Sequence, residues 1–336
     1  MIDKLRSMNK FIVTTTINDV TPALERFDDL EDWHLIVIGD KKTPKISLKN
    51  GDYIPPKYQN TLGFSSVSHI PWNLVQRRNI GYLLAVQQGA DIIATIDDDN
   101  IPYDNWGKEL HIGKEVTRRT IHSDLVCDSL FEHSNVTHTK LWHRGFPVQL
   151  LEDRHKRTES IQRSTVDVQA GLWDGDPDVD AVCRLAGGPF NLKFSDQEFL
   201  ISNETFSPYN TQNTFFSRRV SPCMCLSFDI GRMDDIWASY MTQRVMRELG
   251  SSVLFTGPTV YQDRNDHDLT KDLEKEMVGY RNTLAFLRRL NEIDASGDSP
   301  IEMYSLIVDG IEDLDFISSD MIRFQRAWLE DMERIL

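Results

Sequence analysis

Apolar residues follow two rhythms along the chain. In the first third, short runs apolar at nearly every position alternate with stretches of helical periodicity. Phe11–Ile17 (FIVTTTI), His34–Ile38 (HLIVI) and Asp91–Ile96 (DIIATI) read as strands. Pro22–Leu30 and Asn73–Gln88 read as helices; the second has Leu74, Ile80, Leu83, Leu84 and Val86 as apolar members and Gly89 as its stop. Alternating strands and helices predict a parallel sheet with crossover helices, and uninterrupted apolar runs suit strands covered on both faces.

Later elements are spaced further apart. Residues 107–165 mix His, Arg and short apolar pieces, which predicts loops with a few short elements. Asp234–Leu249 is a helix with Ile236, Trp237, Tyr240, Met241, Val245 and Leu249 on one face and Gly250 at its end. Val253–Val260 reads as a late strand and Leu273–Leu290 as a helix. After a linker at Asp298–Pro300 come two amphipathic stretches, Met303–Gly310 and Asp320–Leu336.

Composition changes this picture in two ways. The 336 residues carry 52 acidic and 37 basic side chains, a formal charge of −15, which argues against nonspecific binding to nucleic acid or an anionic membrane. From Asn291 onward there are twelve acids against three arginines, so residues 291–336 form a separate acidic helical tail behind a body of 1–290. The tail's apolar residues require a surface to cover, either the body or a second subunit of a homo-oligomer. No run approaches the ~20 apolar residues of a membrane helix, so no transmembrane segment is expected. The four cysteines are too few and scattered for a disulfide framework, which predicts a cytoplasmic location.

The strongest chemical signal is Asp97-Asp98-Asp99-Asn100, directly after the third strand. Ligands of open α/β sheets bind beyond the carboxyl ends of strands. Alternation at a strand end lets Asp97 and Asp99 converge, and adjacent carboxylates are costly unless a cation joins them. A hard divalent ion, Mn2+ or Mg2+, bridging to a diphosphate answers that cost. Arg77-Arg78-Asn79 precede that strand and suit phosphate or base contacts, while Thr14, Thr15, Thr16, Asp40 and Lys42 lie at the same sheet edge, where a base and ribose fit. Asp234 and Asp235 open the Asp234–Leu249 helix, where capping and the helix dipole favour acids irrespective of function. There is no P-loop and no Gly-x-Ser-x-Gly.

Several longer segments carry a resemblance. VIGDKKTP (Val37–Pro44), VQAGLWDGDPDVDAVCRL (Val168–Leu185), FSPYNTQNTFF (Phe206–Phe216) and GRMDDIWASYMTQRVMRELG (Gly231–Gly250) resemble the STELLO glycosyltransferase-like proteins of plants. The Asp97–Asp99 triplet, RGFP (Arg144–Pro147), GLW with its P-D-x-D-A run, and Gly231–Trp237 also resemble the reversibly glycosylated polypeptides, which include the UDP-arabinopyranose mutases. The similar span runs from about Phe11 to Glu276, without the tail.

This resemblance implies an α/β GT-A fold, a Rossmann-like nucleotide half joined to an acceptor half, with a C-terminal helical extension. It implies a nucleotide-diphosphate sugar donor, a UDP-sugar, and an acceptor hydroxyl that the sequence does not name. Asp97 and Asp99 would hold the metal, with Asp97 and Asp98 also at the nucleotide sugar. Gly171, Trp173 and Asn213 would line the same site. The self-glycosylated Arg of the mutases maps onto Arg144, and the Asp of their DDMW-type motif onto Asp235. With Asp234, these are the expected catalytic residues. A late metal ligand is expected at Asp263 or His267. The reading is a metal-dependent glycosyltransferase; its rivals are a nucleotide-sugar mutase and a nucleotide-sugar-binding scaffold without turnover.

Overall fold

The computed structural model describes residues 8–133, 141–263 and 268–336. His267 lies outside them. The strands, in chain order, are β1 (Lys10–Thr16), β2 (His34–Gly39), β3 (Asp52–Ile54), β4 (Ile92–Ile96), β5 (Asn100–Pro102) and β6 (Glu115–His122), then β7 (Thr158–Gly171), β8 (Asp174–Gly175), β9 (Phe199–Ile201), β10 (Asn213–Ser217), β11 (Ser251–Thr256) and β12 (Val260–Gln262). The helices are α1 (Pro22–Asp28), α2 (Pro56–Gln59), α3 (Arg78–Gln87), α4 (Ser129–His133), α5 (Ala181–Gly187), α6 (Asp234–Glu248), α7 (Leu269–Glu292), α8 (Pro300–Ile311) and α9 (Ser319–Ile335).

Among the described residues, nine strands form one sheet in the order β11-β9-β6-β7-β10-β4-β1-β2-β3. The half built from β3, β2, β1 and β4 is parallel, with Val13 beside Ile36 and Thr95. β1, β2 and β4 are buried along almost their whole length, as their unbroken apolar runs require, while the short edge strand β3 is not. Beyond β4 the sheet turns antiparallel through β10. There β7 pairs with β6 and β10 along one edge and with β11 along the other. A Rossmann-like parallel half continued by a mixed half is the α/β, GT-A arrangement expected from the sequence.

Local chemistry sets the helix starts. Thr21 caps α1, its hydroxyl accepting from the Leu24 amide, with Pro22 in the first turn. Asp180, Asp268, Ser299 and Ser318 do the same for α5, α7, α8 and α9. Two expectations differ. The predicted helix over Asn73–Gln88 begins regularly only at Arg78, because Asn73 takes a φ of 61° and Val75–Arg77 form a tighter 3-10 turn. The predicted strand Val253–Val260 breaks at Gly257-Pro258, so that its end crosses into a three-stranded sheet, β5-β12-β8.

Residues 107–165, expected to be mostly loop, contain β6 and the first half of the 14-residue β7. The tail's apolar face covers the body. Trp328 is buried and donates to the Pro222 carbonyl, and Phe324 packs on Phe228 with ring centres 5.2 Å apart. The Asp331 carboxylate accepts from the amides and hydroxyls of both Ser65 and Ser66. No helix of the described residues is long and apolar enough to cross a membrane.

Candidate functional site

The carboxyl end of β4 opens into a cleft of about 530 Å3, within the range of sites for nucleotide-sized ligands. Asp97 and Asp99 form one wall. The turn that carries them is fixed from two sides. The Asn100 amide donates to the Asp97 carbonyl at 3.3 Å, and the Asp263 amide to the Asp99 carbonyl at 3.2 Å. Asp263 thereby adjoins the Asp97–Asp99 turn through its backbone.

Arg78 stands beneath this wall. It is fully buried, and its Nη2 donates to Asp97 Oδ1 at 2.6 Å while Nη1 reaches Thr211 and Thr95. Burial works against its charge, but the Asp97 carboxylate outweighs it and raises its pKa. Asp98 turns away to accept from Thr16 Oγ1 at 2.5 Å and Asn18 Nδ2 at 3.1 Å. It thus ties β4 to the end of β1.

Several other expected binding residues hold the scaffold around the cleft. Thr14 donates to the Ile96 carbonyl, and Thr15 pairs with Ile38 in the sheet. Asp40 accepts from the Asn73 and Leu74 amides and so fixes the cleft rim, while Lys42 is exposed. Arg77 stacks 3.6 Å from the Trp72 ring centre and donates to Gln59 and the Ile70 carbonyl; burial lowers its pKa to about 10. Asn79 exchanges two hydrogen bonds with the Leu226 backbone. Asn213 joins Leu172, Trp106 and Thr259, and a side chain at Gly171 would collide with it at 2.5 Å. Trp173 is buried and donates to the Asp176 carbonyl. Of the residues expected at the nucleotide sugar, only Asp97 lines this cleft; Thr14, Thr15, Thr16, Asp40, Lys42, Arg77, Arg78, Asn79, Asp98, Gly171, Trp173 and Asn213 do not.

A second wall of the cleft brings Arg144, Asp178, Asp234 and Asp235 together from three distant segments, and Thr211 links it to the first by touching both Arg78 and Asp235. Arg144 is clamped. Its Nε and Nη2 donate to the two oxygens of Asp178, both at 2.9 Å. Its Nη1 and Nη2 donate to the two oxygens of Asp235, at 3.0 and 3.1 Å, and Nη1 also donates to the Arg232 carbonyl. All five N–H groups of a guanidinium are then used. Burial opposes the charge on Arg144, yet the two carboxylates overcome it and hold its pKa well above the ordinary value. Burial likewise opposes the charge on Asp178, and Arg144 overcomes it, so that Asp178 stays below the usual carboxylate range. Asp235 also accepts from the Thr211 amide at 3.3 Å.

Asp234 is the contrasting neighbour. Its carboxylate accepts from Gln76 Nε2 at 3.1 Å. Burial, then repulsion from Asp235, pushes its pKa up to about 7. It is therefore suited to hold or release a proton near neutral pH.

Six carboxylates line the cleft, from Asp97, Asp99, Asp178, Asp229, Asp234 and Asp235, against the cations of Arg144, Arg232 and Lys275. Arg144 is clamped, and Arg232 is paired with Asp272 and Glu276. Among the described residues no group of three His, Cys, Asp or Glu side chains is close enough to cage a metal. Two carboxylates in one open cleft nonetheless fit a divalent ion that completes its shell with phosphate oxygens and water.

Sequence reasoning passed over Asp178, Gln76 and Lys275. Asp178 stood in the quoted P-D-x-D-A run, two residues before the cap Asp180, and looked like part of a helix start. Gln76 and Lys275 gave no sequence signal.

No protein-family profile matches the chain. It is 25% identical to the probable glycosyltransferase STELLO2 of Arabidopsis thaliana, over 96% of this chain and 44% of that protein. It is 26% identical to UDP-arabinopyranose mutase 1 of the same plant, over 77% of this chain and 74% of that protein. A probable UDP-arabinopyranose mutase 1 of Solanum tuberosum is 25% identical, over 77% and 73%. The STELLO2 match leaves too few residues unmatched to omit the acidic tail, so that similarity extends beyond the span the motifs marked. The chain spans less than half the length of the STELLO relatives it matches. The motifs and these relatives agree: the chain is similar to the STELLO-type glycosyltransferase-like proteins and, over a shorter span, to the UDP-arabinopyranose mutases.

Proposed function

We propose that the protein is a metal-dependent glycosyltransferase that uses a nucleotide-diphosphate sugar, a UDP-sugar, as donor. The observation that carries this reading is one cleft with two carboxylates, Asp97 and Asp99, on one wall and a fixed charge cluster beside a neutral-range carboxyl on the other. The cleft's acids outnumber its cations, so a diphosphate enters favourably only with a cation of its own. Asp97 and Asp99, with Asp263 or His267, would hold Mn2+ or Mg2+, and the ion would offset charge on the leaving diphosphate. Asp235, fixed by Arg144 and the Thr211 amide, would orient the sugar or acceptor. Asp234 would take the proton of the acceptor hydroxyl. A cytoplasmic location remains part of this reading; all four cysteines are reduced and buried.

A nucleotide-sugar mutase is the second reading, favoured by the mutase relatives and by Arg144 in its RGFP motif. The clamp weighs against it. A sugar-accepting guanidine nitrogen must give up a proton and a hydrogen bond, and both carboxylates oppose that. A thermal-shift panel of nucleotide sugars, with and without Mn2+, tests the common ground of both readings. Ligand at a hundred times its dissociation constant adds about 2.7 kcal/mol. Incubation with the bound donor and no acceptor then separates them. Isomerised donor, or a sugar adduct on the intact protein, supports the mutase. Donor consumed only with an acceptor supports the transferase. Binding with no turnover under any condition leaves the scaffold.

A further inference from the structure

The long strand β7 has an open edge. Its first half pairs with β6 in the register Thr158↔His122 to Thr165↔Glu115. On the other side, β11 begins only at Thr165, opposite Ser251. Among the described residues no strand pairs with the outer edge of residues 158–164. Thr158 to Arg163 are exposed on both faces, and Ile161, at 71%, is the most exposed large apolar side chain described. An unpaired edge of this kind is a template for another strand.

We infer that this edge pairs with the same edge of a second copy of the chain, antiparallel and two-fold symmetric about Ile161, so that the two sheets continue into one another. The sequence Thr-Glu-Ser-Ile-Gln-Arg-Ser is complementary to itself in that register. Directly opposite residues share a face in an antiparallel pair. Ile161 meets its own copy, Glu159 meets Arg163, Ser160 meets Gln162, and Thr158 meets Ser164. One face then carries an apolar pair flanked by two unlike charge pairs; the other carries only hydroxyl and amide side chains. A slip of two residues either way sets Ile161 against Glu159 or against Arg163 and loses the ion pairs, so the charges select the register. Within one chain Glu159 already meets Arg119 at 3.2 Å and Arg163 meets Glu115, but these pairs are solvent-exposed and weakly held. The contact is isologous and closes on itself. It is independent of the chemistry in the cleft.

Sedimentation of the full chain at roughly 100 µM and low salt, where a weak dimer is populated, should give twice the monomer mass of 38.8 kDa. Glu159→Arg and Ile161→Lys should each give monomers with unchanged melting temperature, because both sites are exposed. The double variant Glu159→Arg/Arg163→Glu should restore the dimer. Ile161→Cys should form a disulfide-linked dimer on mild oxidation, since opposed Cα atoms lie about 4.5–5.5 Å apart. A monomeric wild type without that cross-link, or a dimer indifferent to Glu159→Arg and Ile161→Lys, overturns the inference.

Discussion

The two walls of the cleft treat their acids in opposite ways. On the wall of Asp178 and Asp235, each carboxylate takes two hydrogen bonds from one arginine, and the cluster is buried with its hydrogen bonds filled, although two carboxylates against one guanidinium leave one negative charge. On the wall of Asp97 and Asp99, the carboxylates are half-buried, and Arg78 reaches Asp97 from behind. The first wall has its hydrogen bonds finished within the protein. The second is suited to a cation and a phosphorylated ligand. Charge locked in a bidentate clamp positions a substrate; carboxylates partly open to the cleft are available to bind one.

Breaking the second wall should have the larger effect on activity. Asp99→Ala is expected to remove the Mn2+-dependent part of donor binding and to cut turnover at least about 100-fold. Calorimetry with UDP, with and without Mn2+, checks this; equal metal dependence in variant and wild type would refute it. Breaking the first wall should act on stability. Asp178→Ala strands part of a buried guanidinium, a loss of about 3–5 kcal/mol. Chemical denaturation measures it, and a loss under 1 kcal/mol would mean that the clamp is solvated.

Asp234 sharpens the comparison, because its carboxyl stands beside the finished wall without belonging to it. Its folded pKa of about 7 lies above the ordinary carboxylate value, so the native state retains a proton that the unfolded chain releases. Its contribution favours folding below about pH 4 and is lost as pH rises through 7. Asp234→Asn, which cannot ionise, should therefore melt higher than wild type at pH 8 by roughly 1–2 °C, the effect of ~1 kcal/mol in a chain of this size. The gain should vanish near pH 4. The same variant should lose the rise in turnover across pH 7, whereas a wild-type pH profile would take Asp234 out of proton transfer. The smallest effect is expected at Lys275, exposed on α7 at the cleft rim. Lys275→Gln should weaken UDP binding by roughly threefold at low salt, in line with one exposed charge contact.

The contrast between walls also explains what could be read in advance. The parallel half was legible because β1, β2 and β4 are buried on both faces and their runs are apolar throughout. EVTRRTIH in β6 and TESIQRS in β7 form equally regular strands, but much of their surface meets solvent and no apolar run marks them. In the site, Asp97 and Asp99 were legible because a single strand end brings them together. The clamp was only half legible. Arg144, Asp178 and Asp235 meet across 34 and 91 positions of sequence, and nothing local to Asp178 announces the arginine it faces. Arg77 shows the converse: in sequence it matches Arg78, yet one stacks on Trp72 and the other supports Asp97.

The bond between Asp331 and the Ser65–Ser66 turn has a consequence for the order of synthesis. The two partners of its longest hydrogen bonds are 266 positions apart. Proteins are made from the N-terminus at about 5–20 residues per second, so the parallel half emerges roughly ten seconds to a minute ahead of the helix that covers it. Throughout that interval Phe64 and the outer surface of α3, against which α9 packs, face the cellular medium. The newly made chain is thus most exposed to aggregation and to chaperones at the half whose strands are the most apolar, and the acidic helix that arrives late ends that exposure.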